Sequence, residues 1–330
     1  MKKIVSAGDR VYLKFFDLSF FHESAKEAGA TFHPFRLFDD DGFKKEIIDA
    51  DALMVIDRPV RRDHIAVMEK CRIIQALEVG FDFIDVEAAT EKGIIVSNVP
   101  AYCTDEVANH TMTLLLALQK NLKALIKETS CGGWSYKAGE PVFSLSGKTL
   151  GIIGLGRIGR RLVPKAKAFG MGVLGYDPYL YDDIFEMTGV ERCRELKDLL
   201  ERSDYLSLHV PLTDETYHMI GMEELSLMKG EAYIINTCRG GVIDTNALLE
   251  ALDGSLVAGA AVDVIEKEPP DRLDPILNHD KVLVTPHAAW FSSESLDRVR
   301  QQGMEEVIRV LEDKRPWYAV NPEVTYRRRT

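Results

Sequence analysis

The glycine-rich segment Gly154–Gly159 constrains the fold of this chain more than any other segment. It directly follows the apolar run 149–153, which is typical of a buried parallel strand. It precedes residues 160–169, whose pattern predicts a helix. A glycine turn between a strand and a helix lets backbone amides approach a pyrophosphate, where the positive end of the helix dipole favours its charge. The segment therefore predicts a dinucleotide-binding α/β domain.

An acidic residue stands at the end of the next apolar strand. Asp177 follows the glycines by about 20 residues, where an acid accepts hydrogen bonds from an adenosine ribose. An aspartate at this position repels the extra phosphate of NADP, so the predicted cofactor is NAD. The alternative is an ordinary strand–turn–helix that binds no ligand.

The length of 330 residues is large for one core and predicts two domains. Strand and helix patterns alternate before the glycines and again after Asp177, whereas the last helical segment, 293–313, has no sheet of its own. The predicted fold class is α/β, with two Rossmann-like doubly wound parallel-sheet domains. The NAD-binding domain, 101–290, is inserted within a split substrate domain, 1–100 and 291–330. The broad apolar face of a helix over 104–120 predicts a connecting or dimerisation helix.

The net charge and the cysteine pattern argue against several kinds of partner and of site. Forty-one basic and 52 acidic side chains give a formal net charge of −11, which argues against nucleic acid or an anionic membrane as a partner. Five scattered cysteines favour a reducing compartment and predict neither a disulfide framework nor a metal site. We see no signal peptide and no apolar run of membrane-spanning length, so a cytoplasmic location is predicted. The basic run 327–329 is interpreted as a solvated tail.

Three polar clusters follow apolar strands in the second half of the chain. Ligands of doubly wound sheets bind beyond the carboxyl ends of the strands, so each cluster is a candidate for the site. Oxidising a hydroxyl with NAD needs a base for its proton, and imidazole titrates near neutrality. His287 is the candidate acid/base and Glu268 is its candidate carboxylate partner. Arg239 is the candidate forked cation for a substrate carboxylate.

Each of these residues also has a structural interpretation. His287 could cap the following helix, and Arg239 could be a turn residue beside two glycines. Glu268 could be a surface acid beside two prolines, with Glu266 as its local competitor for the histidine. His110 lies inside the long helical pattern and is interpreted as an interface residue rather than a catalyst.

The order and spacing of these motifs resemble the D-isomer-specific 2-hydroxyacid dehydrogenases over nearly the whole chain. The matching segments are 154–159, 176–178, 209–213, 236–240, 262–264 and 285–287. The resemblance implies Arg239, Glu268 and His287 as the catalytic set, Asp263 near the nicotinamide carboxamide, and a homodimer. Segments 178–180 and 287–292 further resemble the branch that contains the C-terminal-binding proteins, which are NAD(H)-binding transcriptional co-repressors.

On this basis we expect the NAD site to be lined by residues of the glycine turn and of the loops that follow the later strands. These residues are Gly154, Gly156, Arg157, Ile158, Gly159, Asp177, Pro178, His209, Val210, Pro211, Thr216, Thr237, Cys238, Arg239, Asp263 and His287. Substrate contacts are expected from Val79, Gly80, Arg239, His287 and Trp290.

The loop expected to bind the substrate carboxylate departs from the family pattern. Val79 and Gly80 still offer backbone amides, but Glu78 replaces a glycine and Phe83 an asparagine, and Ala76 stands where some relatives carry arginine. Two like charges within several ångströms cost on the order of a few kcal/mol at an effective dielectric near 20. We therefore predict a substrate without a phosphate, with an apolar or cationic tail. The alternative is that Glu78 points to solvent.

The leading functional hypothesis is an enzyme that interconverts a small 2-keto acid and a D-2-hydroxy acid with NAD(H). The alternative is an interaction protein of the co-repressor type, in which NADH binding controls partner recruitment and turnover is incidental. Oxidation of formate or phosphite is a third possibility, although no motif specifically indicates it.

Overall fold

The computed structural model describes residues 1–8, 17–35 and 39–324. The basic run 327–329 lies outside the described residues. Contacts divide the chain into two compact units, of which the first comprises the described residues of 1–102 and 292–330 and the second comprises 103–291. The sequence predicted breaks after residues 100 and 290.

The first unit contains a parallel sheet of five described strands in the order β2-β1-β3-β4-β5. The strands are β1 (Lys2–Gly8), β2 (Ala30–Phe35), β3 (Ala52–Ile56), β4 (Ile73–Ala76) and β5 (Ile95–Ser97). Its described helices are α1 (Leu18–Glu27), α2 (Asp40–Ile47), α3 (Arg62–Val67), α4 (Val86–Glu91) and α13 (Ser293–Leu311). Every residue of β3 is buried, as expected for a strand covered on both faces.

The segment that contains and follows α13 is part of the first unit. Glu306 on α13 is 1% exposed, and its carboxylate accepts hydrogen bonds from Ser97 Oγ and the Trp317 amide, each at 3.1 Å. Asn321 Oδ1 accepts a hydrogen bond from the Val96 amide at 2.8 Å. These buried polar contacts join the end of the chain to β5.

The second unit contains seven parallel strands in the order β12-β11-β10-β9-β6-β7-β8. They are β6 (Thr149–Ile153), β7 (Gly172–Tyr176), β8 (Glu191–Arg192), β9 (Tyr205–Leu208), β10 (Tyr233–Asn236), β11 (Gly259–Val262) and β12 (Val282–Val284). The helices are α5 (Thr104–Gln119), α6 (Leu122–Ser130), α7 (Arg157–Ala168), α8 (Asp182–Thr188), α9 (Leu196–Arg202), α10 (Met222–Leu227), α11 (Thr245–Asp253) and α12 (Pro275–Asn278). Short 3-10 helices span Tyr136–Gly139 and Gly240–Val242.

Two apolar clusters cover the two faces of this second sheet. Ile234 belongs to one cluster and the adjacent Ile235 to the other, because successive strand residues point to opposite faces. The predicted fold class of two α/β domains with parallel sheets is confirmed. No helix among the described residues is both long and apolar enough to cross a bilayer.

Two local predictions have different outcomes. Asp244 directly precedes a helical pattern over 245–252, which predicts an N-cap, and its carboxylate accepts hydrogen bonds from the amides of Asn246 and Ala247 at the start of α11. The predicted start of the helix after the glycine turn was wrong. The helix α7 begins at Arg157 rather than Arg160, because Gly156 adopts the extended backbone of an N-cap inside the glycine segment.

Candidate active site

The carboxyl end of the second sheet carries the glycine turn. In the sheet, β6 lies between β7 and β9, so the chain runs outward from β6 in both directions and creates the crevice where doubly wound sheets bind ligands. Gly154 has a φ of +89°, and a Cβ there would lie 2.5 Å from the His209 carbonyl oxygen. A Cβ at Gly159 would lie 2.2 Å from the Gly154 carbonyl oxygen. By contrast, a Cβ at Gly156 would meet no atom of residues 1–8, 17–35 or 39–324 within 4 Å, so these residues leave the N-terminus of α7 open to a phosphate.

Asp177 connects this turn to the end of β7. Its Oδ2 accepts a hydrogen bond from the Leu155 amide at 3.0 Å, and its Oδ1 accepts one from the Tyr179 amide at 3.1 Å. An ionised carboxylate has about four acceptor positions, so both oxygens retain a lone pair for ribose hydroxyls. The next residue, Pro178, lies in the turn between these two contacts.

His209 presents a buried nitrogen that has no hydrogen-bond partner among the described residues. Its Nε2 lies 2.8 Å from Ser207 Oγ, whereas its buried Nδ1 is the nitrogen for which the described part of the chain offers no partner. Burial lowers the pKa of His209 to about 4, so the ring is neutral at physiological pH. A buried polar atom without a partner is costly, which makes Nδ1 a candidate acceptor for a ligand donor.

Thr216 stabilises the loop that follows His209. Its hydroxyl donates a hydrogen bond to the Pro211 carbonyl oxygen at 2.6 Å and accepts one from the Thr213 amide at 2.8 Å. These contacts give Thr216 a structural role in the 210–216 loop, whatever ligand the loop meets.

The segment after β10 is held by a side-chain amide. Asn236 Oδ1 accepts a hydrogen bond from the Cys238 amide at 3.0 Å, and its Nδ2 donates to the Arg239 carbonyl oxygen at 2.9 Å. Thr237 Oγ1 lies 3.0 Å from Thr111 Oγ1 on α5. Burial raises the pKa of the Cys238 thiol to about 11, so this cysteine stays protonated and poorly nucleophilic. The Arg239 guanidinium donates to the Cys238 carbonyl oxygen at 2.9 Å.

His287 and Glu268, the predicted acid/base and its predicted partner, lie within ion-pair distance of each other. His287 Nδ1 lies 2.7 Å from Glu268 Oε2, and Glu268 Oε1 accepts a hydrogen bond from the Ile265 amide at 2.9 Å. The two side chains are 27% and 34% exposed, so the pair remains accessible to a substrate. His287 has a φ of +50°, an uncommon conformation for a residue with a side chain, and its amide donates to the Asp263 carbonyl oxygen at 2.8 Å.

The competing acid, Glu266, contacts a different histidine. Its Oε2 lies 3.0 Å from His218 Nε2, and its Oε1 accepts a hydrogen bond from the Thr245 amide at 2.9 Å. Of the two acids that the sequence left open, the structure therefore brings Glu268 to His287.

Asp263 anchors the loop that carries His287. The residue is 2% exposed, and its carboxylate accepts hydrogen bonds from the amides of Ala288 and Ala289 at 2.9 and 2.8 Å and from the Thr285 hydroxyl at 2.5 Å. His110 Nε2 lies 3.4 Å from Asp263 Oδ1. Burial alone raises the pKa of Asp263, but these hydrogen bonds outweigh it and the pKa is lowered.

Sequence reasoning missed this contribution of His110. The residue lies on α5, and its Nε2 is 3.0 Å from Thr285 Oγ1 and close to Asp263. The available signal was a titratable side chain within an otherwise apolar helical pattern, a position that is also typical of an interface residue.

The expected substrate loop lies in the first unit. The Val79 carbonyl oxygen accepts a hydrogen bond from Asn98 Nδ2 at 2.6 Å, and Gly80 is partly exposed. Glu78 Oε1 accepts a hydrogen bond from the Asp57 amide at 2.7 Å, at the turn after β3. The Glu78 carboxylate is therefore held beside its own sheet edge. Trp290, expected to contact substrate, lies in the second unit with its ring edge-to-face against Phe291 at 5.6 Å.

Within the described part of the chain, one group of three metal-binding side chain types lies close together, namely Asp40, Asp63 and His64. The Lys44 ammonium lies 3.2 Å from Asp40 and 2.6 Å from Asp63, so a protein cation already neutralises these acids. His64 Nδ1 accepts a hydrogen bond from the Arg61 amide, which leaves Nε2 to donate to Asp40 at 2.8 Å. The group is a salt-bridge network and supports no metal proposal.

Comparison with known proteins places these features in a family. A profile described as D-isomer specific 2-hydroxyacid dehydrogenase, NAD binding domain, matches residues 112–289. The chain is 45% identical over 268 residues to D-3-phosphoglycerate dehydrogenase of Methanocaldococcus jannaschii, covering 81% of this chain and 51% of the relative. It therefore spans about half the length of that relative. It is 41% identical over 290 residues to glyoxylate reductase of Korarchaeum cryptofilum, covering 85% of this chain and 87% of the relative.

A solved structure extends the similarity to the whole fold. D-lactate dehydrogenase from Aquifex aeolicus, complexed with NAD and lactic acid, superposes with a TM-score of 0.84 at 32% identity and covers 93% of this chain and 96% of its own. These findings confirm NAD as the cofactor and an NAD-dependent 2-hydroxyacid dehydrogenase as the class of enzyme. The chain belongs to the D-isomer specific 2-hydroxyacid dehydrogenase family.

Proposed function

We propose that this protein interconverts a small 2-keto acid and the corresponding D-2-hydroxy acid, with His287 as the general acid/base. The observation that carries this proposal is the 2.7 Å contact between His287 Nδ1 and the Glu268 carboxylate. A carboxylate at Nδ1 favours the imidazolium and leaves Nε2 to exchange a proton with a substrate oxygen.

The residues of the second unit fit the predicted cofactor. The amides at the N-terminus of α7 can bind the pyrophosphate, and the Asp177 carboxylate can accept hydrogen bonds from a ribose. The buried Nδ1 of His209 can accept a hydrogen bond from the ligand. NADH, when bound, supplies the hydride that the carbonyl carbon of a 2-keto acid receives. The proposed NAD site also includes the remaining glycine-turn and strand-end residues that the sequence analysis named.

Arg239 is the proposed binder of the substrate carboxylate. A guanidinium is permanently charged and offers a planar fork of donors that matches a carboxylate. In the reduction, His287 gives its proton to the carbonyl oxygen, while Arg239 stabilises the negative charge that develops there. Val79, Gly80 and Trp290 remain the residues from which the sequence predicts further substrate contacts.

The proposed substrate lacks a phosphate and carries an apolar or cationic tail. Glu78 is held to the Asp57 amide beside the proposed carboxylate-binding loop, so its negative charge stays near that loop. A doubly charged tail would meet repulsion there. One relative is named a phosphoglycerate dehydrogenase and another a glyoxylate reductase, so the family includes names of both substrate classes.

We also propose that the protein is a homodimer. The helix α6 (Leu122–Ser130) contains no buried residue, and the loop that follows exposes large apolar side chains. Ile126, Trp134 and Tyr136 are 55%, 94% and 78% exposed. Neighbouring exposed apolar side chains favour a protein partner, and a second copy of this chain would bury the same patch twice. The predicted cytoplasmic location stays a prediction from the cysteine pattern.

The co-repressor alternative differs from the proposed enzyme in its expected turnover of 2-keto acids. It rests on the resemblance of 178–180 and 287–292 to the C-terminal-binding-protein branch. Both relatives reported above are named for enzymes, which favours turnover as the main function. An interaction protein would bind NADH with little oxidation by any small 2-keto acid.

One experiment tests the enzyme proposal. Purified protein is assayed for NADH oxidation with glyoxylate, pyruvate, longer apolar and cationic 2-keto acids, and 3-phosphohydroxypyruvate. We expect turnover of at least one phosphate-free acid and a loss of about 100-fold or more in kcat for His287→Ala. His33→Ala, whose imidazole is exposed in the first unit, serves as the matched control.

Activity of His287→Ala within threefold of the parent would exclude His287 as the proton donor. Equal turnover of the phosphorylated acid and of the best phosphate-free acid would refute the substrate class alone. NADH binding without turnover of any acid in the panel would instead support the co-repressor alternative.

A further inference from the structure

Glu266 joins three segments of the second unit. Its Oε1 accepts the amide hydrogen of Thr245, the first residue of α11, and its Oε2 meets His218 Nε2. The carboxylate thus satisfies one of the unpaired amides at the start of a helix and lies near the positive end of its dipole. The Glu266 side chain is 32% exposed, and each of its carboxylate oxygens already has a hydrogen-bond partner. This arrangement favours a role in holding the loop rather than in proton transfer.

The peptide that carries Glu266 also packs against the turn that follows Arg239. A Cβ at Gly240 would lie 2.0 Å from the carbonyl carbon of Ile265 and 2.4 Å from the Glu266 nitrogen. Only glycine permits this approach. The amide of Ile265 in turn donates to Glu268 Oε1 at 2.9 Å. One short loop therefore contacts the turn carrying Arg239 and orients the acid that meets His287.

The partner of Glu266 is itself held in place. The His218 amide donates to the Gly241 carbonyl oxygen at 2.8 Å, and its ring stacks on Tyr217 with centroids 4.0 Å apart. Its other nitrogen, Nδ1, lies 3.8 Å from Asp244 Oδ2 at the N-cap of α11. Burial alone raises the pKa of Glu266, but the hydrogen bonds from Thr245 and His218 outweigh it and lower the pKa.

We propose that Glu266 is a positioning residue that acts through Glu268. By fixing the 263–268 loop to His218 and to the start of α11, it keeps the Glu268 carboxylate against His287. This proposal rests on the proposed function, in which His287 transfers a proton and Glu268 supports it.

The proposal predicts a larger effect on turnover than on substrate binding. The turn carrying Arg239 keeps a second anchor, since Asn236 Nδ2 donates to the Arg239 carbonyl oxygen at 2.9 Å. Glu268, by contrast, is oriented by the loop that Glu266 holds. Loss of the Glu266 side chain should therefore disturb the Glu268–His287 pair more than it disturbs Arg239.

The test uses the full chain with its best 2-keto acid. We expect Glu266→Ala to lower kcat by about tenfold, with KM changed by less than about twofold. The basic limb of the kcat profile for reduction moves to lower pH, because a displaced Glu268 no longer favours the imidazolium. Glu266→Gln, which keeps the shape and one acceptor, restores part of kcat and covers the case in which the alanine variant is unstable.

A double-mutant cycle separates action through Glu268 from a general structural role. If Glu266 acts through Glu268, Glu266→Ala adds less than about twofold to the loss in kcat caused by Glu268→Gln. Glu250→Gln, on the exposed face of α11, is the matched control and leaves all parameters unchanged.

Three outcomes would overturn the inference: an unchanged kcat in Glu266→Ala, a fall in kcat with an unmoved pH profile, or multiplicative losses in the double variant. Failure of the proposed function has a different signature. In that case His287→Ala and Glu268→Gln would themselves retain activity, and no effect of Glu266 on proton transfer could be measured.

Discussion

At the scale of single residues, we predict that Asp177 decides between NAD and NADP as the cofactor. Its carboxylate already ties the Leu155 and Tyr179 amides to the end of β7, so its charge is fixed at the edge of the glycine turn. A phosphate brought to that position would face a negative charge that has no freedom to turn away. We therefore predict a preference for NAD over NADP that depends on the negative charge of Asp177.

We expect Asp177→Asn to reduce the ratio of kcat/KM for NADH to that for NADPH by at least about tenfold, because the repulsion disappears while an acceptor oxygen remains. Steady-state assays with both cofactors measure the ratio. Asp198→Asn, exposed on α9, is the control. An unchanged ratio would mean that another group discriminates between the cofactors.

At the scale of elements, Asp263 links α5 to the loop after β12. Its lowered pKa means that the folded state favours the carboxylate more than the unfolded state does. The resulting stabilisation is fully present above the unfolded value near 3.8 and is lost as the pH falls through the lower folded value.

Asp263→Asn should therefore lower the free energy of unfolding by about 2 kcal/mol at neutral pH, since an amide nitrogen would face backbone donors. The difference from the parent should shrink as the pH falls below 3.8. Urea unfolding of the NAD-free protein at several pH values measures it. Asp280→Asn, 91% exposed, is the control, and a pH-independent difference would contradict the linkage argument.

Elements built from long apolar runs could be predicted from the sequence. β6 matches the apolar run 149–153 from which it was predicted, and Asp244 caps α11 as expected. The placement of His287 and Glu268 on one edge also followed, because both come after strands of one parallel sheet. The choice between Glu266 and Glu268 could not be predicted, since backbone turns within a loop decide where each side chain points.

Contacts between elements that are far apart along the chain were not predicted from the sequence. The pairing of His110 with Asp263 joins a helix and a loop that no local pattern connects. The two-residue strand β8 was also missed, because Glu191 and Arg192 form no apolar run. Such features depend on tertiary packing rather than on local preference.

At the scale of the whole molecule, the exposed apolar surface around α6 predicts a dimer. We expect Ile126→Glu to convert the protein to monomers, because burying an isoleucine is worth about 1.5–3 kcal/mol and two copies would be affected. Sedimentation velocity at micromolar concentration measures the change. Phe169→Glu, at a residue 45% exposed at the end of α7, is the control. A parent protein that sediments as a monomer would refute the dimer.

The split of the first unit has a consequence for biosynthesis. Ser97 donates a hydrogen bond to Glu306 and the Val96 amide donates one to Asn321, so β5 can form these two bonds only after the ribosome has translated residues 306 and 321. All residues of the second unit precede them along the chain. The second unit can thus acquire native structure before the first unit is complete, an order opposite to the usual progression from the N-terminus.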